Sequence, residues 1–268
     1  MLANGAFSAA SRSELAAVIA TRVQHGGRSK DAKKLIRQAL SQPNENTLAQ
    51  AVWLSPRLNL DPAETQIALP NQHEADARLF HSVQQFDLAV EASKRWQSFQ
   101  PFSSSPALFG SFIASVFTED HQSALELVEL ALPASICDYV LHNNRAFSLA
   151  QLGRLEEAES ACEQAAALAL ESGHQAVVRA TEGLIQYRKG ETTTGRRYYR
   201  EAVQVFRSMA DSRLANLGLY FWAKEELRLA DGIVGTEVEL VKAIESLQDD
   251  KHEWRELQER LFGSAEND

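Results

Sequence analysis

Positively charged residues are concentrated in one stretch of an otherwise acidic chain. Between Arg179 and Arg207 there are seven bases and three acids, although the formal net charge of the 268 residues is −9. Within this stretch we define a basic patch, whose members are Arg188, Lys189, Arg196, Arg197 and Arg200. Tyr198 and Tyr199 add aromatic rings on which a base could stack. Arginines beside aromatic rings are the chemistry that binds phosphate groups or RNA. The net charge opposes general affinity for nucleic acid, so a solvated face, or a patch that meets the acidic C-terminal region of another copy, stays an open alternative.

No residue pattern indicates catalysis. The glycines form neither a GxGxxG sequence nor a phosphate-binding loop, and the GxSxG and HExxH patterns are absent from the sequence. His73 and His81 are eight residues apart and can share a helix face, but they lack a third metal ligand. Glu156 and Glu157 are adjacent, so on a helix they point in different directions. We therefore expect a protein that is not an enzyme and that uses no cofactor and no metal.

The two cysteines indicate a compartment. Cys137 and Cys162 have neither CxxC spacing nor partners for a disulfide framework, which is typical of a reducing environment. The N-terminus lacks the basic start and apolar core of a secretion signal. The most apolar run, 106–117, is shorter than the roughly 20 residues that cross a bilayer. The sequence thus predicts a cytoplasmic protein without a membrane segment.

Small residues in the stretch 139–170 indicate two helices that touch. Ala146, Gly153, Ala158 and Ala165 lie where the backbones of an antiparallel helix pair must approach each other. Gly153 ends the first helix, because glycine enters the left-handed conformation of a helix stop without a Cβ penalty. The second helix then follows with apolar or small residues at spacings of three and four. The pattern predicts one helix hairpin.

The same spacing of small residues recurs along the chain. Ala124 and Ala131 lie 34 residues before Ala158 and Ala165, and Gly195 and Ala202 lie 37 residues after them. In that later copy Gly183 and Gly190 take the places of Ala146 and Gly153, and the start of the chain repeats the whole ladder as Ala20, Gly27, Ala32 and Ala39. A hairpin of about 34 residues cannot bury its own apolar face, so neighbouring copies must stack.

These hairpins resemble tetratricopeptide repeats. Leu214, Leu217, Gly218 and Phe221 read L-x-x-L-G-x-x-F, which is similar to the W-x-x-L-G-x-x-Y first helix of that family. The resemblance implies an all-α fold: a right-handed α-solenoid of antiparallel helix hairpins, closed by a polar C-terminal capping helix that begins at the Thr236/Glu239 capping box. We expect a disordered N-terminus at 1–10 and a single solenoid domain at 11–264. The expected repeats are 13–46, a degenerate unit at 47–69, then 70–103, 105–138, 139–172, 176–209 and 211–264.

Local signals give two finer expectations in the first third of the chain. Ser11 and Glu14 have the spacing of a capping box, so a helix should begin at Ser11. The helix that starts at Thr47 should be interrupted at Ser55-Pro56, since proline disfavours a helical residue before it. At most one short helix should follow before Pro70.

The family resemblance implies that first helices line a concave groove that binds another protein, through a helix or a peptide. In the same register, the groove side chains would be Phe109, Ile113, Val116, Asn143, Asn144, Phe147, Leu184 and Tyr187. Such a groove departs from the basic and asparagine clamp by which some family members hold a C-terminal carboxylate. The alternative is that these side chains only pack on the next repeat or beneath the C-terminal helix. The sequence identifies neither the partner nor the oligomeric state.

A fainter resemblance concerns the setting in which the chain works. NENTLAQAVW, QPFSSSPALFGSFIAS and NNRAFSLAQLGR are similar to segments of large bacterial repeat proteins that accompany PIN-type nuclease modules. Some of those systems serve in defence, so this resemblance implies a bacterial multi-protein assembly. No acidic cluster of the PIN type can be assigned in this chain, so nuclease chemistry would belong to another region or polypeptide.

Overall fold

The structure is a computed structural model that describes residues 8–229, apart from the side chain of Leu227. The predicted capping helix after Thr236 lies outside the described residues. Across the described range the chain forms helices and no strand, which confirms the all-α fold class. None of these helices is long and apolar enough to cross a membrane.

The helices fall into two compact units. Residues up to Thr118 form the first unit and residues from Glu119 form the second, so the division lies inside the predicted repeat 105–138. The first unit contains α1 (Ala9–His25), α2 (Ser29–Ala39), α3 (Glu45–Leu58), α4 (Pro62–Thr65), α5 (His73–Ser82), α6 (Phe86–Phe99) and α7 (Ser105–Ile113), followed by a π-helical turn at Ala114–Thr118. The second contains α8 (His121–Ala131), a 3₁₀ turn at Leu132–Ala134, α9 (Tyr139–Gln151), α10 (Leu155–Leu168), α11 (Ser172–Arg188), α12 (Thr192–Ser208) and α13 (Ser212–Arg228).

Within each unit, hairpins pack side by side. The pairs α1–α2, α5–α6, α9–α10 and α11–α12 are in contact along their lengths. The first helix of each hairpin also packs on the first helix of the next. In the first unit α1 packs on α3 and α3 on α5, and in the second unit α11 packs on both α9 and α13. First helices therefore lie next to one another within each unit, which is the arrangement that can present a shared face to a partner.

The small residues lie where the sequence predicts them. Ala146, Ala158 and Ala165 are fully buried. Gly27, Gly153 and Gly190 each have a positive φ (76°, 77° and 85°), so each ends a helix in the left-handed conformation. Small side chains thus let hairpin backbones approach, and glycine turns the chain between the two helices.

Two local predictions are wrong. Helix α1 begins at Ala9 with Ser8 as its N-cap, and the Ser8 hydroxyl accepts a hydrogen bond from the Ser11 amide, so Ser11 and Glu14 form no capping box. Helix α3 continues through Pro56 to Leu58. Proline removes only one amide donor, and here it stands in the last turn before the helix ends at Asn59, whose φ is 47°. The single short helix expected before Pro70 is α4.

Candidate functional site

The predicted groove residues divide into buried and partly exposed side chains. Five are buried and pack inside their own unit, as the packing alternative describes: Ile113, Val116, Asn143, Leu184 and Tyr187. The other three, Phe109, Asn144 and Phe147, are partly exposed. Only these three can meet a partner without rearrangement of the helices.

Phe147 lies in an aromatic group of the second unit. Its ring centroid is 4.7 Å from that of Phe221 on α13 and 6.0 Å from the ring of His121 on α8, both in edge-on geometry. Burial and the nearby Lys224 ammonium lower the pKa of His121 to about 4, with a further lowering from Arg188. His121 is therefore neutral at neutral pH, and it adds no charge beside Phe147.

Two arginines of the basic patch bind carboxylates of α13. Arg196 donates to both oxygens of Glu226, from Nε at 2.7 Å and from a terminal nitrogen at 2.8 Å. Arg188 donates to Glu225 at 2.8 Å and to the Gln151 side-chain oxygen. Glu225 and Glu226 are buried, at 3% and 0% side-chain exposure. These arginines therefore neutralise buried charge within the unit.

The Glu226 carboxylate is the centre of a buried polar cluster. It accepts hydrogen bonds from the Tyr187 hydroxyl and from the Trp222 indole nitrogen, the latter at 3.1 Å. Burial, followed by the hydrogen bond to Glu226, raises the pKa of the Tyr187 phenol above its usual range. The cluster thus joins α11, α12 and α13 through one carboxylate.

The other members of the basic patch have contacts of their own. Lys189 pairs with Glu159 at 2.5 Å, and Arg197 lies 3.9 Å from Glu201. Arg200 stands 5.9 Å from the Trp222 ring centroid. The structure therefore does not gather the five cations around one open phosphate-sized site.

A concave feature of the described chain lies in the first unit. A cleft of about 480 Å³ runs between α1, α3 and α5, and a smaller one of about 280 Å³ shares Val18, Ala49, Gln50 and Glu74 with it. We call the two together the α1–α3–α5 cleft. The remaining lining residues are Glu14, Thr21, Arg22, His25, Asn46, Trp53 and Arg78.

The sequence register contains the signal for this cleft, although the prediction did not use it. Because Ala20 takes the place of Ala146 in the first repeat, Val18 and Thr21 take the places of Asn144 and Phe147. Val18 and Thr21 both line the cleft. The first-helix position that the resemblance assigns to a groove is thus an accessible surface in the first unit.

The two histidines that were weighed as metal ligands lie on α5 in separate aromatic surroundings. His73 is 6.0 Å from the Phe99 ring, whereas His81 lies 5.6–5.9 Å from the rings of Phe86, Phe109 and Phe117. Within residues 8–229, no group of three or more His, Cys, Asp or Glu side chains is placed to hold a metal ion. Both rings contribute to packing.

Comparison with known proteins gives structural likenesses and no family. No protein-family model matches the sequence, and no curated protein matches it. Thirteen chains of known structure match, among them a crystal structure of MamA protein. That chain is 13% identical, with a TM-score of 0.43, and the match covers 75% of this chain and 95% of that one. A likeness at this level assigns no function, and the resemblance to PIN-associated repeat proteins gains no support from it.

Proposed function

We propose that the chain is a non-catalytic scaffold that holds a helix or peptide of another protein on the exposed faces of its first helices. The observation that carries this proposal is the α1–α3–α5 cleft, which lies at the register position that the repeat resemblance assigns to partner binding. Its walls combine apolar side chains with polar ones, the combination that binds an amphipathic segment. Asn144 and Phe147, which are partly exposed on α9, offer a second surface.

The expected affinity is modest. An apolar anchor that becomes fully buried stabilises a complex by roughly 1.5–3 kcal/mol. Association and ordering oppose much of that gain. Two or three anchors contribute about 3–9 kcal/mol in total before that opposition, so we expect binding no tighter than micromolar, which corresponds to about −8 kcal/mol.

The test is recovery of the native partner with a tagged copy of the full chain, made in the cells that naturally contain it. Val18→Asp should remove partners held by the cleft, and Phe147→Glu should remove those held in the second unit. Leu130→Glu is the matched control, because Leu130 is an apolar side chain that is 63% exposed on α8 and belongs to neither surface. Recovery of the same proteins by all three variants would contradict the scaffold proposal.

The setting of this scaffold rests on the sequence alone. The fainter resemblance to PIN-associated repeat proteins supports a partner within a bacterial multi-protein or defence-type system, and the two unpaired cysteines support a cytoplasmic location. The phosphate or RNA alternative is not favoured, because Arg188 and Arg196 already neutralise Glu225 and Glu226. Titration with RNA at two salt concentrations tests that alternative, since phosphate contacts weaken steeply with salt.

A further inference from the structure

From the charges along α1 we infer the chemistry of the segment that the α1–α3–α5 cleft binds. We propose that this segment carries a cationic side chain and an anionic side chain about two helical turns apart, with an apolar side chain between them. The inference rests on the proposed scaffold function and specifies its partner.

Three residues of α1 define the polarity of the cleft. Glu14, Val18 and Arg22 follow one another at spacings of four, so they share one face of the helix, and all three line the cleft. At a rise of 1.5 Å per residue, Glu14 and Arg22 are about 12 Å apart along the axis. The cleft therefore has an acidic end and a basic end on one wall.

The charge of Glu14 is ordered but not neutralised by its neighbours. Among the described residues, its carboxylate accepts hydrogen bonds from the side-chain amides of Asn44 at 2.7 Å and Asn46 at 3.4 Å. Both donors are uncharged, so they fix the position of the carboxylate and leave its negative charge in place. A cation of the partner is the complementary group.

At the other end, Arg22 is exposed and forms no ion pair with any residue between 8 and 229. The Glu74 carboxylate, which also lines the cleft, pairs with Arg78 at 2.8 Å and not with Arg22. Arg22 therefore presents a free guanidinium to the cleft, and a carboxylate of the partner matches it.

Between the two charges on α1 stands one apolar side chain, Val18, which lines both parts of the cleft. The Val18 side chain is 52% exposed. Trp53 on α3 lines the part of the cleft that holds Arg22, with the Arg57 guanidinium 4.1 Å from the centroid of its ring and the His25 ring 6.1 Å away. An aliphatic or aromatic side chain of the partner would cover Val18, which accounts for the apolar residue in the proposed segment.

The experiment uses three blocked, alanine-rich peptides of about 18 residues, long enough to form helix in water. Each carries leucine midway between two charged positions eight residues apart: Lys and Glu, Lys and Lys, or Glu and Glu. Exchange of Lys and Glu is not a useful control, because a peptide can bind in either direction. Affinities for the full chain are measured by calorimetry, with helicity as a check on folding.

We expect the wild-type chain to bind the Lys–Glu peptide about two- to five-fold more tightly than either like-charged peptide, the ratio that one exposed ion pair supplies. Arg22→Glu makes both ends of the cleft acidic, so the preference should move to the Lys–Lys peptide. Glu14→Gln keeps an acceptor for Asn44 and removes the charge. Binding should then no longer depend on whether the peptide presents Lys or Glu at that end of the cleft. Lys30→Glu makes the same change in net charge on the exposed start of α2 and should leave the preference as it is.

Two results would overturn the inference and are separable from failure of the scaffold function. If all three peptides bind equally and Val18→Asp abolishes their binding, the cleft is a binding surface without the proposed polarity. If Lys30→Glu shifts the preference as much as Arg22→Glu does, the effect is one of general charge. If no peptide binds and Val18→Asp also leaves native partner recovery unchanged, both the inference and the cleft's part in the proposed function fail.

Discussion

Arg196 holds the fully buried carboxylate of Glu226 with two parallel hydrogen bonds, at 2.7 and 2.8 Å, across 30 residues of sequence. The guanidinium comes from α12 and the carboxylate from α13, so the pair joins two successive helices of the second unit. The Tyr187 hydroxyl and the Trp222 indole complete the surroundings of the carboxylate. A buried ion pair adds little net stability over apolar residues of the same size, but loss of one partner is costly because it leaves an uncompensated buried charge.

Replacement of Arg196 by methionine should therefore destabilise the second unit strongly. Methionine keeps most of the side-chain volume and removes the guanidinium that holds both oxygens of the buried Glu226 carboxylate, and we expect a loss of about 3 kcal/mol. Arg197→Met is the matched control one residue away. Arg197 is 61% exposed and lies 3.9 Å from Glu201, so its removal should cost less than about 1 kcal/mol. Urea unfolding followed by circular dichroism measures both, and equal losses would contradict the assigned role of Glu226.

Close backbone approach between α11 and α12 gives a second prediction. A Cβ atom built on Gly195 would lie 2.5 Å from Tyr187 Cδ2 and 3.0 Å from the Gly183 carbonyl oxygen. Gly195→Ala should consequently destabilise by about 1–3 kcal/mol, the usual cost of overpacking. Gly26→Ala is the control, because the added Cβ there would meet its nearest atom at 3.4 Å, an ordinary contact. The difference in unfolding midpoint tests the packing, and a neutral Gly195→Ala would show that these helices are further apart.

The small-residue contacts could be predicted from sequence because they are periodic. Gly183 and Gly195 occupy the same steps of the ladder as Ala146 and Ala158, and the structure places all four at helix contacts or in the core. Each step is determined within one hairpin, where helix geometry fixes which residues face each other. Repetition along the chain then makes a local signal visible.

The ion pairs could not be predicted in the same way. Arg188 and Glu225 are 37 residues apart, and their pairing depends on how α11 packs on α13. Charge counts in the sequence showed the excess of bases and suggested a contact with the acidic region of another copy, but they could not identify pairs within one chain. The cleft was missed for a different reason: the register that identifies Val18 and Thr21 was applied only to the later repeats.

Stability of the second unit should fall in mildly acidic solution because of His121. Its pKa is about 4 in the folded chain and about 6.5 without burial, so between these values the unfolded chain binds more protons. The contribution of neutral His121 is complete above about pH 6.5 and is lost as the pH falls towards 4. Lys224 and Arg188 oppose protonation in the fold, whereas Glu119 and Asp120 favour it.

His121→Gln removes this titrating group and keeps a polar side chain. The free energy of unfolding of wild type and variant, measured by urea titration from pH 8 to 4, should run in parallel above about pH 7. Below that the wild-type value should fall faster, by roughly 1–2 kcal/mol near pH 5, a figure reduced for the partial exposure of the ring. Parallel curves down to pH 4 would show that His121 is protonated in the folded chain.

The two cysteines should react with thiol reagents at very different rates. Cys137 is exposed, whereas Cys162 is buried on α10 beside the Val178 carbonyl oxygen of α11. Burial raises the pKa of the Cys162 thiol to about 12, and the thiolate is the reactive form. In native protein at pH 8 we expect one equivalent of thiol to react rapidly with Ellman's reagent and a second to appear only in denaturant. Cys137→Ser should remove the rapid phase and Cys162→Ser the slow one. Two equally rapid equivalents in the native chain would show that the α10–α11 contact opens readily, and would contradict the packing on which the second unit depends.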